Sequence, residues 1–290
     1  MELSVIIVSF NVKSFLRQCL HSVGIAMEKI DCEIFVIDNN SEDGSVEMIK
    51  SEFPYVKLII NDVNAGFSAA NNQGIKKSVG RFVLLLNPDT IVVKNTFSKC
   101  IDFMNGHPDA GAIGIRMING EGRFLPESKR ALPTPGTAFF KSFGFSFLFP
   151  ECRILNRYYL PQIDSRETSI TEVISGAFMF IRRDALNKSG LLDEAFFMYG
   201  EDIDLSYRLM QTGYINYYYP EIQIVHFKGR STARNSFKDI IHFYQAMRIY
   251  IRKRAAEGKY RSFLLLIIPA VYLRECLALI NRFLRLTFHT

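Results

Sequence analysis

The sequence has no tryptophan, no C-x-x-C pair, no G-x-G-x-x-G or Walker-type lysine loop after its first strand-like run, and no uninterrupted apolar stretch of bilayer length. Each absence removes a class of protein. The five cysteines, Cys19, Cys32, Cys100, Cys152 and Cys276, lie far apart, which excludes zinc sites of ordinary spacing and leaves reduced core thiols in a cytosolic setting. The first run ends Ser9-Phe10-Asn11-Val12-Lys13, without the glycines that let a nicotinamide- or flavin-binding backbone approach a pyrophosphate, and without an ATPase loop. The chain opens Met1-Glu2-Leu3-Ser4 and enters that run at once, so no secretory leader is expected and the chemistry is placed in the cytoplasm. No internal repeat and no low-complexity tract is present.

A globular chain of 290 residues, 48% of them hydrophobic, can bury one substantial core plus an appendage. Its net charge of +6 is unevenly placed. From Lys228 onward there are 13 basic residues against Asp239, Glu257 and Glu275, whereas the chain before it has 22 basic and 26 acidic residues. That tail holds an apolar run over residues 263–273, followed by Arg274-Glu275 and a second run to Ile280. A bilayer span takes about 20 apolar residues, so the run reads as too short and too interrupted to cross. Two readings stand: a helix lying on an anionic membrane surface at the inner face of the cell membrane, or a terminal helix packed on the core. No nucleic-acid reader motif accompanies the basic residues, so nucleic acid is not expected as a partner.

Apolar runs and amphipathic stretches alternate through the first half, predicting an α/β fold with a central sheet between helices. Strands are expected over residues 3–10, 33–37, 56–60, 81–86 and 110–117. The faces Phe15, Leu16, Cys19, Leu20, Val23, then Val46, Ile49, Phe53, then residues 68–79, then Phe97, Ile101, Met104 mark the intervening helices. From 119 to about 169 the rhythm fails; this segment, with its aromatic stretch over 139–147, is either a functional lid or an internally packed strand and hairpin. A strand over 171–183, a short helix from Asp184, an acidic helix to Gln211 and a strand over 215–227 follow, and beyond Gly229 the pattern is helical.

Ligands of open α/β sheets bind beyond the carboxyl ends of the strands. Those positions read Ser9-Phe10-Asn11, Asp38-Asn39-Asn40-Ser41 and Asn87-Pro88-Asp89, with Asn64-Ala65-Gly66-Phe67 preceding a helix that bears Asn71-Asn72-Gln73-Gly74. Singly, each is ordinary turn or cap chemistry. The cluster Glu201-Asp202-Ile203-Asp204 opens a helix after Phe196-Phe197-Met198-Tyr199-Gly200, where a carboxylate beside apolar groups suits a general base and a capped first turn is the alternative.

Together with Ser4-Val5-Ile6-Ile7-Val8, Val36-Ile37 and Leu86, these motifs resemble family 2 glycosyltransferases of the GT-A fold, above all the bacterial rhamnosyltransferase-like branch, over roughly residues 3–231. The resemblance implies a mostly parallel sheet flanked by helices, a glycosyltransferase domain at 1–231 with a nucleotide-binding half at 1–118 and an acceptor half at 119–231, and a basic amphipathic helical region at 232–290. It implies an inverting transfer of one sugar, rhamnose among the candidates, from UDP- or dTDP-sugar to a glycan or lipid-linked acceptor in cell-surface polysaccharide synthesis. Asp202 would be the base, with Glu201 beside it. Asp38 would accept a hydrogen bond from the pyrimidine; Ser9, Asn11, Asn40, Asn64, Gly66, Asn71, Asn72 and Gly74 would wall the nucleoside; Ser175-Gly176-Ala177 would line the sugar and acceptor site.

Asp89 stands where the family's D-x-D motif ends and would hold Mg²⁺ or Mn²⁺ on the diphosphate, hard oxygen chemistry that suits either ion. His226, in Val225-His226-Phe227-Lys228-Gly229-Arg230-Ser231, matches a histidine that sometimes joins that metal and otherwise is a packed core group. Asn87 replaces the first acid of D-x-D, and Asn71 stands where many relatives carry arginine, which leaves UDP or dTDP open. Without tryptophan the Q-x-x-R-W motif of processive synthases is excluded, so one sugar per encounter is expected. The rivals are a nucleotide- or glycan-binding module without turnover, and a nucleotidyltransferase.

Overall fold

The computed structural model describes residues 1–133, 157–229, 236–258 and 264–288. The aromatic stretch 139–147, Cys152 and the Arg230-Ser231 end of the histidine motif lie outside them. Strand β1 (Leu3–Ser9) is buried throughout, as befits a Val- and Ile-rich strand covered on both faces. Helix α1 (Lys13–Ala26) turns Leu16, Cys19, Leu20 and Val23 onto the sheet. Then come β2 (Cys32–Asp38), α2 (Ser45–Glu52), β3 (Lys57–Ile60), α3 (Phe67–Lys77), β4 (Phe82–Leu86), the two-residue β5 (Thr90–Ile91), α4 (Thr96–Gly106) and β6 (Ala110–Ile118). The second half holds β7 (Ser169–Ile170), β8 (Phe178–Arg182), α5 (Arg183–Ser189), α6 (Glu201–Gln211), β9 (Ile215–His226), α7 (Phe237–Ala256) and α8 (Leu264–Phe288).

The strand order is β3-β2-β1-β4-β8-β6-β9-β5, with β7 beside β9. Pairing is parallel from β3 to β4 and between β6 and β9, but β8 runs antiparallel to both of its neighbours. The reversal has a consequence for function. It puts the segment that leads into β8 at the same sheet edge as the carboxyl ends of β1, β2 and β4, and the Asn87 N–H donates to the Ala177 carbonyl there at 3.0 Å. The strand expected over 171–183 is therefore shorter in the sheet. Before Phe178 the chain leaves it to meet the residue-130 segment, where the Val173 N–H donates to the Arg130 carbonyl at 2.9 Å.

Buried side chains on both sheet faces form two clusters, one under α1, α2 and α4 and the other under α3, α5 and α6. Cys19 and Cys100 are buried thiols, but Cys276 is exposed on α8, which departs from the expectation of core thiols. Helix α8 also corrects the reading of an apolar run broken at Arg274-Glu275. It is continuous, and Leu264–Thr287, in which an 18-residue window has mean hydropathy 1.8, is long and apolar enough by length and composition to cross a membrane. Among the described residues, α7 and α8 are joined by the Arg248–Glu275 ion pair, and the Arg248 guanidinium lies 4.3 Å from the Tyr272 ring centre.

Gly74 sits where α3 crosses the sheet. A Cβ at that position would lie 2.7 Å from Ile6 Cγ2 and 2.8 Å from Ile37 Cδ1, contacts no folded core tolerates without movement. Gly74→Val is expected to cost about 1–3 kcal/mol of stability through overpacking, read by urea denaturation. A midpoint equal to wild type would show that α3 is free to lift from the sheet.

Candidate active site

At the carboxyl ends of β1 and β2, Ser9 and Asp38 stand side by side in the β1–β2 register, both fully buried. Asp38 Oδ2 accepts the Ser41 N–H at 2.8 Å, while its Oδ1 and the Ser9 hydroxyl have no hydrogen-bond partner. A buried acceptor without a partner is costly, so Asp38 Oδ1 is poised to receive a donor from a ligand. Asn11 and Asn40 adopt φ of 53° and 66°, the left-handed region asparagine tolerates best among side-chain-bearing residues. Asn11 is spent on the loops: its N–H donates to Ser41 Oγ, and its Oδ1 accepts the Glu42 N–H.

Asn64 Oδ1 accepts the Gly66 N–H, shaping a loop in which Gly66 has φ 82°. A Cβ on Gly66 would lie 2.5 Å from the Phe197 carbonyl oxygen, so only glycine fits there. The adjoining Phe67 N–H donates to that same carbonyl at 2.6 Å. This close approach joins the first half of the chain to the segment that opens α6. Asn71 and Asn72 serve packing: Asn71 bonds back to the Phe67 carbonyl, and the Asn72 amide ties to the Leu192 backbone at both ends and to Glu194. With Gly74 filled by Ile6 and Ile37, these three residues are placed under the fold rather than along the cavity.

Asp89 and His226 meet because β5 pairs antiparallel with β9, setting Thr90 opposite His226. Both are buried, and His226 Nε2 lies 3.4 Å from Asp89 Oδ1. That contact lacks hydrogen-bond geometry: both Asp89 oxygens and the His226 Nδ1 are left without partners. Two orphaned carboxylate oxygens beside an imidazole suit a divalent cation whose remaining ligands come from a diphosphate. No group of three or more His, Cys, Asp or Glu able to hold a metal occurs among the described residues, so the protein would supply only part of such a shell.

The acidic cluster on α6 separates into three environments. Asp204 is fully buried and structural, bonded to Arg208 and to Lys253 and Arg254 of α7. Asp202 Oδ2 accepts from Arg130 at 2.5 Å and from the Gly176 N–H at 3.1 Å, and its Oδ1 accepts the Ile203 N–H at 2.8 Å. Glu201 has a buried Oε2 without a partner; burial, with the negative charge of Asp202 adding to it, pushes its carboxyl up to about 8. Two adjacent carboxyls thus stand in different surroundings, Asp202 charge-matched by a guanidinium and Glu201 buried without a partner for its Oε2.

A cavity of about 1520 Å³ gathers these pieces. It exceeds the roughly 300–1,000 Å³ of ordinary small-molecule sites, as a site for two substrates should. Asn64, Gly66, Asn87, Gly176, Glu201, Asp202 and His226 line it, whereas Ser9, Asp38 and Asp89 lie behind that wall. A Cβ on Gly176 would make only ordinary contacts, with Asp202 and Phe67 at 3.5 Å, so what its missing side chain leaves open is cavity. The structure adds residues the sequence did not signal. Asn39 rather than the exposed Asn40 faces the cavity, and Arg130, with Tyr158 at 3.2 Å, comes from the irregular insertion. Glu127 also lines it, its carboxyl held below the usual range because the ion pair with Lys228 outweighs burial.

The raised Glu201 carboxyl gives a pH prediction. Between its ordinary 4.5 and about 8, the folded protein keeps a proton that the unfolded chain releases, so stability falls as pH rises through that window. Glu201→Gln should flatten the decline, gaining on the order of 2 kcal/mol on wild type between pH 5 and pH 9, read by denaturant unfolding across that range. An unchanged slope would mean that Glu201 is solvated.

The sequence model of "Glycosyl transferase family 2" matches residues 4–190. The N-acetylglucosaminyl-diphospho-decaprenol L-rhamnosyltransferase of Mycobacterium tuberculosis is 26% identical over 263 residues, covering 87% of this chain and 84% of that protein. The rhamnosyltransferase WbbL of Escherichia coli is 23% identical over 88% of this chain and 95% of its own length. Among solved structures, Staphylococcus aureus TarS 1-349 superposes with TM-score 0.59 at 17% identity, over 86% of this chain and 64% of that longer one. The mannosyltransferase PcManGT from Pyrobaculum calidifontis, in complex with GDP-Man and Mn²⁺, gives 0.59 at 16% identity over 97% of this chain and 74% of that one. The fold, the motifs at the sheet edge and a match to more than half of the chain agree: it belongs to glycosyl transferase family 2, on its rhamnosyltransferase-like side.

Proposed function

We propose that the protein transfers one sugar, rhamnose being the leading candidate, from a UDP- or dTDP-sugar to a lipid-linked glycan acceptor, with inversion at the anomeric carbon. The observation that carries this reading is that Asp202, clamped by Arg130, lines the same cavity as Asn87 and His226, which border the buried Asp89. Asp38 receives the pyrimidine through its free Oδ1, with Asn39, Asn64 and Gly66 walling the nucleoside. Asp89 and His226 would hold Mg²⁺ or Mn²⁺, which when bound neutralises charge growing on the leaving diphosphate.

On the opposite side of the sugar, Asp202 takes the proton from the acceptor hydroxyl as that oxygen attacks. Arg130 and the Gly176 N–H fix the carboxylate so that little reorganisation is needed. Glu201, protonated at neutral pH, serves as a hydrogen-bond donor to the bound acceptor or sugar rather than as a second base. A lipid-linked acceptor accords with the diphospho-decaprenol named for the mycobacterial relative, and with an exposed apolar α8 resting at the cytoplasmic face of a membrane.

Asp202→Asn is expected to lower kcat by about 10²- to 10⁴-fold while leaving the donor Kd nearly unchanged, measured by nucleotide release and by donor titration. Turnover at the wild-type rate removes Asp202 from the chemistry. Asp89→Ala should weaken donor binding about tenfold in Mn²⁺ and not at all in chelator, by calorimetric titration. Equal weakening in both buffers contradicts the metal role.

A further inference from the structure

The cavity does not end at the catalytic carboxyls. From Glu201 and Asp202 it runs along α7, past Lys238 and His242, to Arg282 and Arg285 on α8. Helix α8 is amphipathic in the sense opposite to a water-facing helix. At about 100° per residue its four charged residues, Arg274, Glu275, Arg282 and Arg285, fall in one narrow arc, the arc that also holds buried Val271 and turns to α7 and the cavity. The opposite face is apolar and open to the outside, with Leu266 72%, Leu273 56%, Ile280 55% and Phe283 58% exposed. A surface helix in water turns its charges outward and its apolar stripe inward. The reversal fits a helix whose outer surroundings are hydrocarbon, and the basic excess of the tail fits the headgroups around it.

Arg282 and Arg285 lie in the last turns of α8, on the face that turns to the catalytic chamber. Arg248 and Arg254 are matched to acids, Glu275 and Asp204, whereas among the described residues no ion pair reaches Arg282 or Arg285. A buried Nε–H without a hydrogen-bond partner occurs on Arg282, as it does on Arg254 and Arg274. Guanidinium pairs one helical turn apart are suited to phosphate oxygens, which accept their N–H groups in charge-assisted pairs.

Resting on the transfer reading above, we infer that Arg282 and Arg285 form the binding site for the phosphate bridge of the lipid-linked acceptor. The lipid stays in the bilayer against the outer face of α8, the phosphates sit on the two arginines, and the sugar end reaches Asp202.

The test is vesicle sedimentation of the full-length protein. It compares phosphatidylcholine alone, phosphatidylcholine doped with a long-chain polyprenyl diphosphate, and phosphatidylcholine carrying the same charge as phosphatidylglycerol. Wild type should bind the diphosphate vesicles about tenfold more tightly than plain ones and the phosphatidylglycerol vesicles with a smaller gain. R282Q/R285Q should lose the diphosphate gain yet keep binding to plain vesicles, and F283D/L284D should lose both. Any of four results overturns the proposal: a diphosphate gain retained in R282Q/R285Q, an equal gain with phosphatidylglycerol, inorganic pyrophosphate bound as tightly as the lipid probe, or a wild-type dimer that F283D/L284D splits. Because the readout is binding, it is separable from catalysis. A protein that captures the probe through both arginines and transfers no sugar would refute the functional reading alone.

Discussion

The ion pair between Arg130 and Asp202 is the joint on which the site depends. One guanidinium, arising from the irregular segment that follows β6, reaches the first turn of α6, the Tyr158 hydroxyl and the Ile174 carbonyl. Three separate stretches of chain are thereby held against the carboxylate expected to accept the proton. Buried ion pairs add little net stability compared with apolar packing, but removing one partner strands the other at a cost of about 3–5 kcal/mol. A charge pair at the wall of a large cavity is therefore better explained by what it holds in place than by stability.

Topology brings the remaining groups to the same place. Because β8 runs against β4 and β6, residues 175–177 arrive where β1, β2 and β4 end, and the Gly176 N–H meets Asp202. Because the short β5 runs against β9, Asp89 and His226 face one another although they lie 137 positions apart in the chain. Gly66, pressed on the Phe197 backbone, ties the loop before α3 to the start of α6. With β8 parallel to its neighbours, residues 175–177 would arrive at the opposite edge of the sheet from the ends of β1, β2 and β4.

Much of this was legible in the sequence, for a physical reason. The strands of the first half are buried on both faces and so are written as unbroken apolar runs, and the groups at their ends follow directly. Asp38, Gly66 and Asp202 could be singled out because turn and helix-start chemistry brackets them. Arg130 could not, since it lies where no periodicity exists and its partner is 72 residues away. Strand β5, two residues long, is too short to carry a pattern. Asn72 and Gly74 looked like ligand groups because packing a helix closely on a sheet asks for the same small and polar residues. In α8, Arg274 and Glu275 read along the chain as an interruption, whereas wound on a helix they share one face with Arg282 and Arg285.

One cleft is bordered on one side by His226, with Asp89 behind it, and on the other by Asp202, and it continues to the cationic face of α8. The most direct measurement is a crystal structure of the protein soaked with Mn²⁺ and either UDP or dTDP, with manganese located by its anomalous signal. A manganese peak beside Asp89 and His226, in contact with the diphosphate, is expected, with the terminal phosphate directed toward Asp202. A nucleotide bound elsewhere, or manganese away from Asp89, would contradict it.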